Sequence, residues 1–136
     1  MPPGSIGGTY SGNAISCAAA CASFDVLRDE KLLENALKRG EQLRGHLRKL
    51  GEKYPVREVR GLGLMNAIEF KPSPDGVLAT PNICKIALAD GLLLMSTSIF
   101  DTIRFMPPLT VSEQEVELGM QIFSGAVAKH FEGKKY

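Results

Sequence analysis

The feature that most constrains this chain is the stretch Gly7-Gly8-Thr9-Tyr10-Ser11-Gly12-Asn13, which a helical pattern follows at once. Asn13 is a favourable N-cap residue, and the small and apolar residues from Ala14 to about Leu27 predict a helix. Backbone N–H groups and the helix dipole at such an N-terminus favour a phosphate or another anion. Residues 1–12 are therefore interpreted as a Gly-rich loop with phosphate-binding chemistry, and residues 13–136 as the domain that follows.

The charge balance and the hydropathy pattern exclude several classes of partner. Sixteen Lys and Arg face fifteen Asp and Glu among 136 residues, so nothing in the charge favours nucleic acid or an anionic membrane. No apolar run approaches the roughly 20 residues that a membrane span needs. We expect one domain with one modest core, and neither nucleic acid nor a membrane as a partner.

The three cysteines do not form the even set that is typical of a disulfide framework. Cys17 and Cys21 share one face of the predicted helix. They are either a metal or redox pair or two small residues of an Ala-rich helix. Only His46 and His130 are available to complete a metal site, and no pattern brings them near. We predict no metal site and interpret both histidines as solvated.

Helical and strand periodicities alternate along the rest of the chain. A leucine stripe predicts a helix from about Glu30 to Lys53, capped by Asp29, and residues 56–70 alternate as extended structure. Thr80-Pro81 and Gly91 bracket a further helix. Short strands are expected at 92–96 and 102–106, followed by a helix after the Ser112–Glu115 capping box. This order predicts an α+β fold, a small and mostly antiparallel sheet with helices packed mainly on one face.

Four motifs in order resemble one family of enzymes. They are Gly7-Gly8-Thr9 with Gly12-Asn13, then 59–65 (VRGLGLM), then Gly91-Leu92-Leu93-Leu94, then 103–110 (IRFMPPLT). Together they resemble the C-terminal small domain of class III (omega-type) aminotransferases, fold-type I enzymes that use pyridoxal 5′-phosphate (PLP). Within that family the chain is similar to 4-aminobutyrate and ornithine aminotransferases. The resemblance covers residues from about Gly7 to Phe131.

The resemblance implies roles for three residues. Gly8 and Thr9 would bind the cofactor phosphate in the active site of the neighbouring subunit of a homodimer. The alternative is that Thr9 is a turn residue that caps its own loop. Arg104 would receive the substrate carboxylate through a bidentate pair. The alternative is that Arg104 forms a structural ion pair at a sheet edge. Arg60 is interpreted as structural, and Glu69 as a surface residue at a strand end.

The family's Schiff-base lysine, which carries the cofactor, precedes the first motif. Only residues 1–6 precede Gly7 here, and none is a lysine. We therefore assign no catalytic residue to this chain. We expect it to be a fragment, inactive alone, that works with its own large domain and a second subunit. The intact enzyme would move an amino group from an amino acid or omega-amine to a keto acid.

Two further expectations accompany this interpretation. The alternative function is a free-standing, non-catalytic binding or assembly module derived from the same fold. Residues 1–4 have neither the basic start nor the apolar stretch of a signal peptide. The expected location is the cytoplasm, with the mitochondrial matrix as the alternative.

Overall fold

The computed structural model describes residues 7–74, 76–97 and 99–133, and the first six residues of the predicted Gly-rich loop lie outside these ranges. The chain divides into two compact units, Met1–Leu33 and Glu34–Tyr136. The elements are α1 (Ala14–Asp29), α2 (Leu32–Leu50), β1 (Val56–Leu62), β2 (Met65–Phe70), α3 (Thr80–Ala89), β3 (Met95–Ser96), β4 (Thr102–Phe105) and α4 (Glu113–Phe131).

Helix α1 dominates the first unit. Its start is confirmed, because the Oδ1 atom of Asn13 accepts a hydrogen bond from the Ser16 N–H at 3.0 Å. Its end differs from the expectation: the helix continues to Asp29, and the chain turns at Lys31, whose φ is +53°. Asp29 therefore lies inside α1 and does not cap α2. No residue of α1 is buried.

The four strands of the second unit form one antiparallel sheet in the order β1-β2-β4-β3. The alternating segment 56–70 is two strands, not one. A two-residue turn, Gly63-Leu64, joins them, and Leu62 pairs with Met65 across it. Gly63 has a φ of +53°, a backbone conformation that glycine adopts without steric cost. The alternation carries no sign of this reversal, because it continues in phase through the turn.

One face of the sheet carries the core. Ile68 and Phe70 of β2 and Ile103 and Phe105 of β4 are at most 6% exposed. They belong to one apolar cluster with buried side chains of α2, α3 and α4. The predicted α+β class, with a small antiparallel sheet and helices mainly on one face, is confirmed. Residues between these core positions along each strand face the other way, onto the open face of the sheet.

Helix α2 buries a narrower stripe than its sequence suggests. In α2, Leu43, Leu47 and Leu50 are buried as predicted, but Leu33 and Leu37 are 68% and 60% exposed. The part of α2 that belongs to the second unit approaches the β1–β2 turn closely, because small residues lie at the contact. At Gly40, an added Cβ would overlap the carbonyl oxygen of Gly63.

The last helix, α4, is as predicted. Its Ser112–Glu115 capping box is formed in both directions. The predicted apolar stripe is buried at Val116, Met120, Phe123, Val127 and Phe131.

Two classes of feature are absent from the residues that the structure describes. No helix in 7–74, 76–97 or 99–133 is long and apolar enough to cross a membrane. Within the same ranges, no three His, Cys, Asp or Glu residues form a group that could hold a metal ion.

Candidate functional site

Strand β4 places Arg104 on the open face of the sheet. Ile103 and Phe105, its neighbours in sequence, point into the core, and the alternation of a strand turns the residue between them outward. In register, Arg104 lies opposite Ala67 of β2 on one side and Met95 of β3 on the other. Its exposed side chain therefore stands beside one small and one flexible apolar residue.

Arg104 differs from every other arginine in the chain. All seven arginines lie in the described ranges, and six of them have a carboxylate oxygen within 4.0 Å. The six paired arginines are Arg28 with Asp25 and Asp29, Arg39 with Glu113, Arg44 and Arg48 with Glu41, Arg57 with Glu69, and Arg60 with Glu58 and Glu69. Among the described residues, no acidic side chain pairs with Arg104.

The neighbouring positive charges on the open face are neutralised. The two carboxylate oxygens of Glu69 accept hydrogen bonds from Arg57 at 3.0 Å and Arg60 at 2.8 Å. The hydrogen bond from Arg60 lowers the pKa of Glu69, and the same bond raises the pKa of Arg60. The expected surface position of Glu69 is wrong, since it is 8% exposed. The structural role expected for Arg60 agrees with its two ion pairs.

An apolar cavity of about 380 Å³ adjoins Arg104. Leucines 92–94, Phe105, Met106 and side chains of α4 line most of it, together with Arg104 and Glu115 as the charged residues. Glu115 is already engaged, because its Oε2 atom accepts hydrogen bonds from the N–H and the hydroxyl of Ser112, both at 2.8 Å. The backbone bond is the main cause of the lowered pKa of Glu115. Glu115 is therefore held at the start of α4 and does not pair with Arg104.

Gly8 and Thr9 lie in an exposed turn of the first unit. The Ser11 N–H donates to the Gly8 carbonyl at 3.0 Å, and the turn is tight, because a Cβ at Gly8 would lie 3.0 Å from the Ser11 Oγ. Within the described part of the chain, the Thr9 hydroxyl has no hydrogen-bond partner. A free hydroxyl beside a glycine backbone is a donor set that fits a phosphate. The assignment of Gly8 and Thr9 stays a prediction.

Neither histidine is the solvated residue that the sequence suggested. His46 places its Nε2 atom 3.0 Å from the Glu117 carboxylate. His130 is 8% exposed, with its Nδ1 atom 2.9 Å from Asn82 and its ring edge-on to Phe131. A sequence signal for His130 existed, because it lies three residues after Val127 on the buried stripe of α4.

Sequence reasoning missed Asp101. The expected cap of α3 was Thr80, but the helix begins at Thr80 itself, and the preceding Ala79 has no side chain that can cap. The buried carboxylate of Asp101 takes that role and accepts hydrogen bonds from the Ala79 and Thr80 N–H groups. No local pattern marks this cap, since about twenty residues separate the partners in sequence.

An α+β domain whose described residues leave one arginine without an acidic partner is suited to holding a small molecule by its carboxylate. A sequence model of the family described as aminotransferase class-III matches residues 1–127. The chain belongs to this family.

Two curated relatives are named for different substrates. The acetylornithine aminotransferase of Thermosynechococcus vestitus is 41% identical over 128 residues, which are 93% of this chain and 30% of the relative. The 4-aminobutyrate aminotransferase GabT of Escherichia coli is 38% identical over 131 residues, 91% of this chain and 30% of the relative.

Solved structures agree in fold. The acetylornithine aminotransferase from Elizabethkingia anophelis superposes with a TM-score of 0.82 at 37% identity, covering 95% of this chain and 33% of that one. The chain thus spans about a third or less of the length of the relatives it matches.

Proposed function

We propose that this chain is the C-terminal part of a PLP-dependent aminotransferase that transfers an amino group from an amino acid or omega-amine to a keto acid. The observation that carries the proposal is Arg104, whose guanidinium has no acidic partner among the described residues, while the six other arginines are paired. The family membership, and the carboxylates of the substrates that its relatives are named for, support the same role.

Arg104 would bind and orient the substrate. A guanidinium and a carboxylate form two parallel hydrogen bonds, which fix both the position and the angle of the carboxylate. A substrate held by its carboxylate has its amino group at a set distance from the sheet.

Gly8 and Thr9 would hold the cofactor phosphate of the neighbouring subunit in a homodimer. PLP, when bound, supplies the electron sink that stabilises negative charge at the substrate carbon. This chain's own contribution is a neutral hydroxyl donor and a glycine backbone, which bind a phosphate without adding charge of their own.

We further propose that the rest of the active site lies in a large domain of the same polypeptide. The relatives are about three times as long as the matched region, and the lysines of this chain lie outside the family's cofactor context. The 136-residue chain with added PLP should therefore show no transamination. Turnover, with a borohydride-trappable adduct at one lysine, would contradict this. The cytoplasmic or matrix location also remains a proposal, which fractionation of cells can test.

The experiment that tests the substrate role uses the full-length, PLP-loaded enzyme. Arg104→Ala should raise the KM of an amino acid substrate about 10- to 100-fold, because a charge-assisted bidentate pair contributes roughly 1.5–3 kcal/mol. Arg104→Lys should recover only part of this, since an ammonium cannot reproduce the fork.

PLP content per subunit, read from absorbance, should not change in either variant. Arg48→Ala is the matched control, because it removes an exposed, ion-paired arginine from α2 without touching the sheet. If Arg104→Ala unfolds the protein but leaves KM unchanged in the folded fraction, Arg104 is structural and the assignment fails.

A further inference from the structure

We infer that Asp101 is the residue that positions Arg104, by tying the start of β4 to the N-terminus of α3. The inference rests on the carboxylate-binding role proposed for Arg104. Asp101 lies three residues before Arg104 and directly before the first residue of β4.

Asp101 is buried, and three hydrogen bonds connect it to α3 and β2. The carboxylate of Asp101 accepts from the Ala79 N–H at 2.9 Å and from the Thr80 N–H at 2.8 Å. Its backbone carbonyl accepts from the Phe70 N–H at the end of β2, also at 2.8 Å. Asp101 is 7% exposed, so water competes little for these bonds. One residue thus joins β4 to both a helix and the neighbouring strand.

Helix α3, to which the Asp101 carboxylate is bonded, is held in place by the core. Ile83 and Ala87 of α3 are fully buried in the core, so the helix cannot shift without disturbing the packing. Pro81 has no N–H, and the Ala79 and Thr80 N–H groups, which have no partner within the helix, find their acceptor in Asp101. The negative charge of Asp101 at this helix terminus also matches the helix dipole.

The strand that bears Arg104 needs such an anchor because it is short. β4 has four residues, and its edge partner β3 has two. A slip of one residue in the pairing would exchange the two faces and turn Arg104 toward the side that Ile103 and Phe105 occupy. The buried face of Ile103 and Phe105 specifies the register, and the Asp101 contacts reinforce it where few ladder bonds are formed. Asp101 holds the start of β4 in place, roughly 10 Å along the strand from Arg104.

The side chain has no other evident task on the open face. Both oxygens of its carboxylate are bound to backbone N–H groups, so Asp101 is not available to a substrate or as a proton donor. Its effect on the reaction must therefore pass through the placement of β4.

The test compares Asp101→Asn with wild type in the full-length, PLP-loaded enzyme. An amide oxygen still accepts one N–H, but the amide NH2 faces the other donor, so one of the two bonds is lost. With 4-aminobutyrate as the probe, or acetylornithine if the enzyme prefers it, KM should rise about 5- to 20-fold. The kcat per bound PLP should stay within about twofold. A merely structural role would lower the melting temperature and the folded fraction but would leave KM per active site unchanged.

Two comparisons isolate the positioning effect. Asp90→Asn is the matched control, since Asp90 lies at the C-terminal end of the same helix and pairs with Lys129, away from β4. Its KM should equal that of wild type. In an Arg104→Ala background, Asp101→Asn should change KM by less than about twofold, because the group that it positions is gone.

A second readout uses the 136-residue chain and no cofactor. Amide hydrogen exchange in β4 should be at least about tenfold faster in Asp101→Asn, with the β1 amides unchanged. If Asp101→Asn does not fold, Asp101→Ser keeps a short oxygen acceptor and carries the same comparisons.

The outcomes distinguish a failure of the binding role proposed for Arg104 from a failure of the positioning role inferred for Asp101. If Arg104→Ala itself leaves KM unchanged, the proposed function of Arg104 fails. If Arg104→Ala raises KM but Asp101→Asn does not, or if the two effects simply add, only the positioning role is overturned. Unchanged exchange in β4 also overturns it.

Discussion

Two glycines of one helix should respond in opposite ways to the same substitution. Gly40 and Gly45 both lie inside α2, where alanine has the higher helix propensity by roughly 1 kcal/mol. A Cβ at Gly45 would meet nothing within 4 Å. A Cβ at Gly40 would overlap the backbone carbonyl of Gly63.

That carbonyl cannot move away cheaply. The Gly63 oxygen accepts hydrogen bonds from Arg44 at 3.1 Å and from the side chain of Asn66 at 2.9 Å. Asn66 is 1% exposed and also accepts from Arg44, so a shift of the turn would break a buried network. Overpacking of this kind costs about 1–3 kcal/mol, and the broken network adds to it.

Gly45→Ala should therefore stabilise the chain by about 0.5–1 kcal/mol, and Gly40→Ala should destabilise it by about 1–3 kcal/mol after its propensity gain. Urea unfolding of the 136-residue chain, followed by circular dichroism, measures both against wild type. The pair differs only in position along one helix, so composition and propensity cancel. If Gly40→Ala is as stable as Gly45→Ala, the close approach of α2 to the β1–β2 turn is wrong.

Three further substitutions address the site. Thr9→Ala should speed PLP release from the full-length enzyme during dialysis and change the substrate KM less than Arg104→Ala does; equal retention would contradict the phosphate role. Glu69→Gln should lower stability at pH 7, and this loss should shrink as the pH falls below 4.5, measured by urea unfolding across that range. The pKa of Glu69 is depressed from 4.5 in the fold, so its contribution is present above that value and is lost as the pH falls through the folded pKa. Arg60→Gln should raise the substrate KM by releasing Glu69 toward Arg104, and Arg60→Gln/Glu69→Gln should restore it; an unchanged KM in Arg60→Gln would refute this.

Local signals in the sequence predicted the parts of the fold that local interactions determine. The Asn13 cap and the Ser112–Glu115 box each join residues three apart, and Gly91 ends α3 with a φ of +93°. Helical periodicity predicted α4 because its stripe faces a continuous core. These features need no knowledge of distant residues.

The sequence failed where distant residues compete with a local pattern. Thr80-Pro81 has the pattern of a helix start, yet Asp101 provides the cap from another part of the chain. Glu69 resembles a surface residue until Arg57 and Arg60 are seen to enclose it. No spacing rule encodes such contacts.

Part of the candidate site could also be predicted from the sequence, and part required the structure. The motif around Arg104 identified the residue through its resemblance to a family. Strand alternation then predicts that it points away from Ile103 and Phe105. That Arg104 has no acidic partner in the described part of the chain depends on where distant carboxylates lie, and only the structure gives this. The roles of Gly8 and Thr9 remain predictions, because they concern a phosphate in another subunit.

The ion pairs on the open face explain why Glu69 does not pair with Arg104. Glu69 of β2 pairs with Thr102 of β4, and Arg104 lies two residues further along β4. Glu69 and Arg104 are therefore diagonal neighbours, at a distance that long side chains can span. A free carboxylate there would occupy the guanidinium, and a substrate would first have to break that pair. Arg57 and Arg60 each bind one oxygen of Glu69, so the acid is held toward β1. Under the role proposed for Arg104, the ion pairs at β1 would favour carboxylate binding without touching the substrate, because they hold a competing carboxylate away from Arg104.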